Sequence, residues 1–244
     1  MPHPAESTHW YKRTGEPAYT VVGKNGIERP TTLRDAQKDN LIPSVTTIMQ
    51  ETARPGLQNW IIDQAILSCL TMPLKEGESE GDYIPRLKAD SKEQARRAAE
   101  KGTQIHAWVQ TGFIGEEIAP EGVRYYESAL KCLLDACGAV KWHCEKSFAT
   151  HRYGGKVDLY SDGIVVDIKT TEKDLATIKT WDNHSMQLAA YEVGLGDDRK
   201  KCGILYIHVL TVESKIIWLD EKEIDRGWAM FEALTDFWYS KTGL

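Results

Sequence analysis

Two neighbouring segments decide the fold: Gly154-Gly155-Lys156-Val157-Asp158-Leu159-Tyr160 and Ile164-Val165-Val166-Asp167-Ile168-Lys169-Thr170. The second is rich in β-branched residues, which is typical of strands. The turn sequence Ser161-Asp162-Gly163 separates them, so we expect them to be adjacent in one sheet. The chain before them has helical apolar spacing, and the period changes to that of strands at about residue 139.

Three charged residues in these strands are expected to lie together. Side chains alternate between the two faces of a strand, so Asp167 and Lys169 share a face. In the first strand, Val157 and Leu159 should point one way and Asp158 the other. We therefore expect Asp158, Asp167 and Lys169 on one surface of the sheet.

The rest of the sequence predicts helices around this sheet. Helices are expected from the N-cap Ser44 and at about 57–70, 85–110, 123–137 and 185–194, further strands at 139–149, 203–211 and 214–219, and a last helix from the N-cap Asp220. This order predicts an α/β (α+β) fold with a central mixed β-sheet flanked by helices. Residues 1–40 are expected to form an N-terminal arm or hairpin, and residues 41–244 the main domain.

Composition narrows the class of protein. The 244 residues are 41% hydrophobic, and no apolar run approaches the roughly 20 residues of a membrane span. The N-terminus has no signal-peptide pattern, and the five cysteines include no CxxC pair, so a cytoplasmic protein without disulfides is expected. The net charge of -6 argues against coating nucleic acid by bulk charge. The basic helix at 85–110 could line a local groove, or it could be a solvated helix with i,i+4 ion pairs.

The charged residues of the two strands suit phosphodiester hydrolysis. Two close carboxylates repel, and a divalent cation between them removes that cost. Oxygen ligands favour Mg²⁺ or Mn²⁺, which polarise a phosphoryl oxygen and acidify a bound water. Lys169 could hold that water and offset charge on the phosphate. The alternative is that Asp158 and Asp167 lie on a solvent-exposed sheet face, with Lys169 as an ion-pair partner.

Several motifs together resemble a nuclease family. The segments Gly155-Lys156-Val157-Asp158 and Asp167-Ile168-Lys169 resemble motifs II and III of PD-(D/E)xK nucleases, in the branch of RecB-type nuclease domains, lambda-type exonucleases and mitochondrial genome maintenance exonucleases. Also similar to that branch are Pro43-Ser44-Val45-Thr46-Thr47-Ile48, Gly102-Thr103-Gln104-Ile105-His106 (GTxxH) and Gln187-Leu188-Ala189-Ala190-Tyr191 (QxxxY). The resemblance covers about residues 41–220. Val157 stands where the family name has proline, as is usual in this branch.

The resemblance implies a restriction-endonuclease-like core and a set of site residues. Metal ligands would be His106, Asp158, Asp167 and the backbone carbonyl of Ile168; Lys169 would position the attacking water; Gln187 and Tyr191 would bind substrate; Glu145 would be an accessory acid. A neutral His106 is needed for ligation, so activity is expected to fall towards pH about 6. Only Cys202 follows the active-site strands, so no iron–sulfur cluster is expected.

The implied function is a metal-dependent DNA exonuclease, acting on DNA ends or single strands. Two alternatives stay open: a structure-specific or restriction-type endonuclease, and a catalytically silent DNA-binding protein on the same fold. By analogy, the resemblance suggests recombination, repair or phage genome processing in a bacterial or phage-infected cell, with a recombination protein as a partner.

Overall fold

A five-stranded mixed sheet forms the centre of the computed structural model, which describes residues 9–53, 55–196 and 200–244. The strands are β1 (Trp10–Tyr11), β2 (Thr20–Val22), β3 (Glu28–Pro30), β4 (Ile42–Pro43), β5 (His143–Ala149), β6 (Gly154–Ser161), β7 (Ile164–Thr171), β8 (Lys201–His208) and β9 (Ser214–Trp218). The helices are α1 (Leu33–Asp39), α2 (Val45–Ile48), α3 (Pro55–Thr71), α4 (Glu80–Ile114), α5 (Pro120–Cys137), α6 (Asp182–Gly194) and α7 (Glu221–Thr242), and a 3-10 turn spans Met49–Glu51.

The central sheet has the order β5-β6-β7-β8-β9. Only β7 and β8 are parallel, and α6 lies between them in the chain. Helices cover both faces, which explains why residues 165–168 of β7 and 202–207 of β8 are buried. The predicted mixed sheet flanked by helices is confirmed.

Each face of the sheet has its own hydrophobic core. Val165 and Ile204 belong to the core that α6 and α7 cover, where Leu188 is fully buried. Val166 and Leu205 belong to the core on the opposite face, which α4 and α5 cover. Neighbouring residues of β7 thus enter different cores, so the strand is held between two helical layers.

Trp10 and Ala36, from the described part of the N-terminal segment, pack into the first of these cores. β1 pairs with β4, and β2 and β3 form a hairpin. Trp10 is buried, with its ring 5.9 Å from that of Trp238 in an edge-on arrangement. This hairpin lies within the segment 1–40 that was predicted to form an arm or hairpin, and the assignment of that segment as a unit of its own stays a prediction.

The long helix α4 begins earlier than the sequence predicted. We expected its start at Pro85, because proline favours the first helical position. Instead the Ser79 hydroxyl accepts a hydrogen bond of 3.2 Å from the Asp82 N–H and acts as the N-cap, with Pro85 in the second turn. Basic residues of α4 also pair with acids, as Arg96 and Arg97 do with Glu93. These pairs favour a solvated helix over a basic wall.

Two predicted helix starts agree with the structure. The Ser44 hydroxyl accepts a hydrogen bond of 3.0 Å from the Thr47 N–H at the start of α2. Asp220 and Glu223 form a capping box at the start of α7.

No helix in the described part of the chain combines the length and apolar character needed to cross a bilayer.

Candidate active site

Asp158 lies where β6 and β7 separate. The pairing of these strands runs from Ser161 opposite Ile164 to Leu159 opposite Val166. At the next position the Asp158 Oδ2 atom accepts a hydrogen bond of 2.9 Å from the Ile168 N–H. The side chain thereby replaces a backbone partner of the ladder, which fixes the carboxylate beside β7.

The simple alternation of faces fails at Asp158. Leu159 packs in the core under α4 and α5, as expected from its pairing with Val166, but Val157 packs in the opposite core. Glu145 lies across from Asp158 on β5, is not paired with it, and has a left-handed backbone with φ 57°. This irregularity breaks the two-residue period, so the prediction that Val157 and Leu159 share a face is wrong.

Asp167 is almost completely buried. Its side chain is 2% exposed, and its Oδ1 atom accepts a hydrogen bond of 2.9 Å from the Gln187 amide nitrogen. Its Oδ2 atom lies 2.7 Å from the Lys169 Nζ atom, but this contact lacks hydrogen-bond geometry, and Oδ2 has no hydrogen bond within the described residues. We interpret the contact as an ion pair between the Lys169 ammonium and the Asp167 carboxylate.

Gln187 connects the groups around Asp167. Its amide nitrogen donates to Asp167 and, at 2.8 Å, to the Tyr191 hydroxyl, while its Oε1 accepts 3.2 Å from Lys169 Nζ. Gln187 and Tyr191 are both buried. Gln187 contacts the carboxylate and Tyr191 contacts Gln187, so a direct contact of either side chain with substrate stays a prediction.

His106 reaches the site from the other helical layer. It lies on α4, with its Nδ1 atom 3.8 Å from the Asp158 Oδ2 atom. Gly102 permits this approach, since a Cβ there would lie 2.8 Å from the Thr170 Oγ1 atom. The site therefore takes residues from both helical layers.

Burial and charge shift the pKa values of the site in opposite directions. The pKa of Asp158 rises to about 7, mainly because its burial disfavours the charged form and secondly because Asp167 repels it. The pKa of His106 falls to about 4, chiefly through burial and then through the positive charge of Lys169. His106 is thus neutral well below pH 6, and the first group to gain a proton on acidification is Asp158.

Glu145 contacts neighbours other than the two aspartates. It forms an ion pair with Lys156 and accepts a hydrogen bond of 2.7 Å from the Gln110 amide nitrogen. Asp158 is not among these partners, although it lies opposite on the sheet. A non-glycine residue with positive φ inside a strand is uncommon and often marks a functional site. An accessory role for Glu145 stays a prediction.

The donor types at this site suit a hard divalent cation. No group of three or more His, Cys, Asp or Glu side chains in the described ranges is arranged to hold a metal ion. The Asp167 carboxylate instead forms an ion pair with Lys169 and accepts a hydrogen bond from Gln187. However, the buried Asp167 Oδ2 atom has no hydrogen bond within the described residues, and the pKa of Asp158 is raised. A bound cation would stabilise both carboxylates in their charged form.

Two residues that the sequence analysis did not select lie close behind the site. His184 is buried on α6, and its Nδ1 atom lies 3.2 Å from the Tyr206 hydroxyl. Tyr206 is the partner of Lys169 in the β7–β8 ladder. His184 precedes Gln187 by three residues, so their shared helical face was a signal in the sequence.

Comparisons with known proteins give partial likenesses. No description of a known protein family matches the sequence, and no curated protein matches it. A solved structure of a candidate exonuclease from Eubacterium rectale is 15% identical, covers 59% of this chain and 68% of its own, and has a TM-score of 0.43. An alkaline exonuclease from Laribacter hongkongensis is 14% identical, covers 76% and 98%, and has a TM-score of 0.32. Likenesses this weak say nothing about the activity of this chain.

Proposed function

We propose that this protein is a metal-dependent DNA exonuclease. The observation that carries the proposal is the cluster where β6 and β7 separate: Asp158 and Asp167 lie on adjacent strands, with the Lys169 ammonium 2.7 Å from Asp167. The motifs quoted from the sequence support the same function. Their resemblance to PD-(D/E)xK nucleases includes His106 and Gln187, which both contribute to this cluster.

Burial argues against the plain ion-pair alternative. That alternative places both carboxylates on a solvent-exposed sheet face, but the side chains of Asp167 and Asp158 are only 2% and 17% exposed. Burying two carboxylates costs free energy. A functional role for the two groups would explain why the fold tolerates this cost. Lys169 is one-third exposed and can therefore reach a substrate from inside this cluster.

Each residue has a proposed task. Asp158, Asp167, the Ile168 carbonyl and His106 would hold Mg²⁺ or Mn²⁺, and the ion would polarise the phosphate and acidify a water. Lys169 would orient the water and offset charge on the phosphate. Gln187 would hold Lys169 and Asp167 in place, because it bonds to both.

We propose action at DNA ends because the matched segments are those of the exonuclease-like branch. A restriction-type or structure-specific endonuclease is the second candidate within the same chemistry. Recombination, repair or phage genome processing is the proposed setting, again from the resemblance.

Digestion of matched DNA substrates tests the function. End-labelled linear DNA, its covalently closed circle and a single-stranded circle are incubated with Mg²⁺, Mn²⁺ or EDTA. We expect cation-dependent release of nucleotides from linear DNA only. Cleavage of closed circles would favour an endonuclease. Binding of DNA without cleavage under any cation would identify a catalytically silent protein.

A further inference from the structure

Trp181 is a large aromatic residue on the surface beside the proposed active site. It directly precedes α6, and 66% of it is exposed. Exposing an indole forfeits a large hydrophobic gain. Such a side chain at the edge of a binding site suggests that a ligand covers it.

The backbone of Trp181 is held rigidly. Its N–H donates a hydrogen bond of 3.2 Å to the His184 Nδ1 atom, and its carbonyl accepts one of 2.8 Å from the His184 N–H. His184 is buried and packs edge-on against Tyr206, with ring centroids 6.0 Å apart. The indole thus stands on an ordered support, which lowers the entropy cost of binding a ligand.

The same support links Trp181 to the proposed catalytic lysine. The Tyr206 hydroxyl contacts His184 and donates 3.2 Å to the Lys179 carbonyl. Tyr206 in turn lies beside Lys169 in the β7–β8 ladder. A shift of the Trp181 loop would therefore disturb residues next to Lys169.

The distance from Trp181 to the active site suits a few nucleotides. Gln187, which bonds to Asp167, is six residues further on, or about 9 Å along the helix axis at 1.5 Å per residue. Stacked nucleotides in one strand repeat at about 3.4 Å. Two or three stacked nucleotides would therefore cover the length of helix between Trp181 and Gln187.

Charges around Trp181 are mixed. Lys173 and Lys179 are exposed on the loop before it, together with Glu172 and Asp174. Asp182 is paired with Arg226 at 2.7 Å. Charge alone therefore does not make this loop a phosphate site, and the indole is the distinctive group.

We propose that Trp181 stacks on an unpaired base of the DNA strand whose phosphate lies at Lys169. This inference rests on the proposed nuclease function and adds a substrate class, namely a single-stranded end. Every base has a flat aromatic face, so an indole platform binds without sequence preference.

Cleavage of oligothymidylate substrates that carry one abasic nucleotide at successive positions tests this. In the wild-type protein, we expect KM to rise roughly tenfold when the abasic position faces the indole, the loss typical of one stacked base. Trp181→Ala should raise KM similarly on the intact substrate, with no further rise at that abasic position. Trp181→Phe should retain most of the affinity. Phe237→Ala removes an aromatic side chain that is 54% exposed on α7, and is the matched control.

The outcomes separate this inference from the proposed function. If the wild-type protein degrades linear DNA but Trp181→Ala has an unchanged KM, the stacking inference is wrong and the nuclease stands. The same conclusion follows if Trp181→Ala and the abasic nucleotide add their effects at every position. If the wild-type protein neither cleaves nor binds these substrates, the nuclease proposal itself fails.

Discussion

The Asp158 carboxylate accepts a hydrogen bond of 2.9 Å from the Ile168 N–H on the neighbouring strand. This contact replaces strand pairing at the point where β6 and β7 separate. The same carboxylate lies 3.8 Å from the His106 ring on α4. Asp167, on the neighbouring strand, accepts a hydrogen bond from Gln187 on α6. Hydrogen bonds within the fold therefore fix two of the proposed metal ligands, Asp158 and Asp167.

Asp158→Asn and Asp167→Asn should each remove nuclease activity and leave the fold intact. Asparagine keeps the size of the side chain and an oxygen that can accept the bonds from Ile168 and Gln187. Losing one charged ligand should reduce kcat by about a hundredfold to ten-thousandfold. Single-turnover cleavage of linear DNA measures the loss, and circular dichroism checks the fold. Near wild-type cleavage by both variants would show that the site lies elsewhere.

Gln187→Met should lower kcat and leave KM nearly unchanged. Methionine fills a similar volume but cannot bond to Lys169 or Asp167, so the proposed catalytic groups lose their support. We expect a loss of about tenfold to a hundredfold, or about 1.4 to 2.8 kcal/mol of transition-state stabilisation.

Tyr191→Phe is the matched control for Gln187. It removes only the hydroxyl that accepts from Gln187 and should cost much less activity. Steady-state kinetics on one linear substrate compares the two variants. A rise in KM with unchanged kcat for Gln187→Met would instead indicate that Gln187 contacts substrate.

The Asp158 carboxyl should make the metal-free protein less stable as the pH rises from about 4 to about 7, when it is compared with the Asp158→Asn variant. The folded pKa of Asp158 is raised from 3.8 to about 7, so the folded state keeps a proton that the unfolded state has lost in this window. Release of that proton on unfolding lowers the free energy of unfolding by at most about 1.4 kcal/mol per pH unit. The lowered pKa values of His106 and His184, both about 4, act in the opposite direction in both proteins. Urea unfolding at several pH values in EDTA measures the two slopes, and equal slopes would contradict the raised pKa of Asp158.

Local patterns predicted the elements of the fold better than they predicted the site. Alternation and helical spacing placed β7 and put Gln187 and Tyr191 on one face of α6, because those patterns depend on a few neighbouring residues. The face on which Val157 packs depends on the left-handed backbone of Glu145 on another strand. The burial of Asp167 depends on how α6 packs on the sheet, which no local pattern contains.

Gly102→Ala should destabilise the fold and displace His106. The added Cβ would lie 2.8 Å from the Thr170 Oγ1 atom, so either the Thr170 hydroxyl must rotate or α4 must move away from β7. Overpacking of this kind costs about 1–3 kcal/mol. Urea unfolding and nuclease activity should both show the loss, and Thr170→Ala in the same chain should restore them.

Gly81→Ala is the control for this prediction. A Cβ at Gly81, on the same helix, would make an ordinary contact of 3.6 Å with the Ser79 hydroxyl. It should be neutral or slightly stabilising, by up to about 1 kcal/mol, because alanine favours helix more than glycine does. Equal losses at both positions would remove the argument for close packing at Gly102.

His106→Ala should weaken Mn²⁺ binding more than Mg²⁺ binding, because a neutral imidazole suits Mn²⁺ better. The sequence suggested that His106 also sets the acid limit of activity near pH 6. The lowered pKa of His106, about 4, and the raised pKa of Asp158, about 7, instead favour Asp158 as the group that sets this limit. Calorimetric titration with Mn²⁺ should therefore show affinity that falls as the pH drops through about 7, in the wild-type protein and in His106→Ala alike.

The control for this titration is Asp158→Asn. Without an ionisable group at position 158, the remaining Mn²⁺ affinity should lose most of its dependence on pH between 5 and about 8, because His106 stays neutral in that range. If His106→Ala removes the pH dependence and Asp158→Asn keeps it, the proton belongs to the imidazole. The assignment of the acid limit to Asp158 would then be wrong, whereas metal ligation by His106 would be supported.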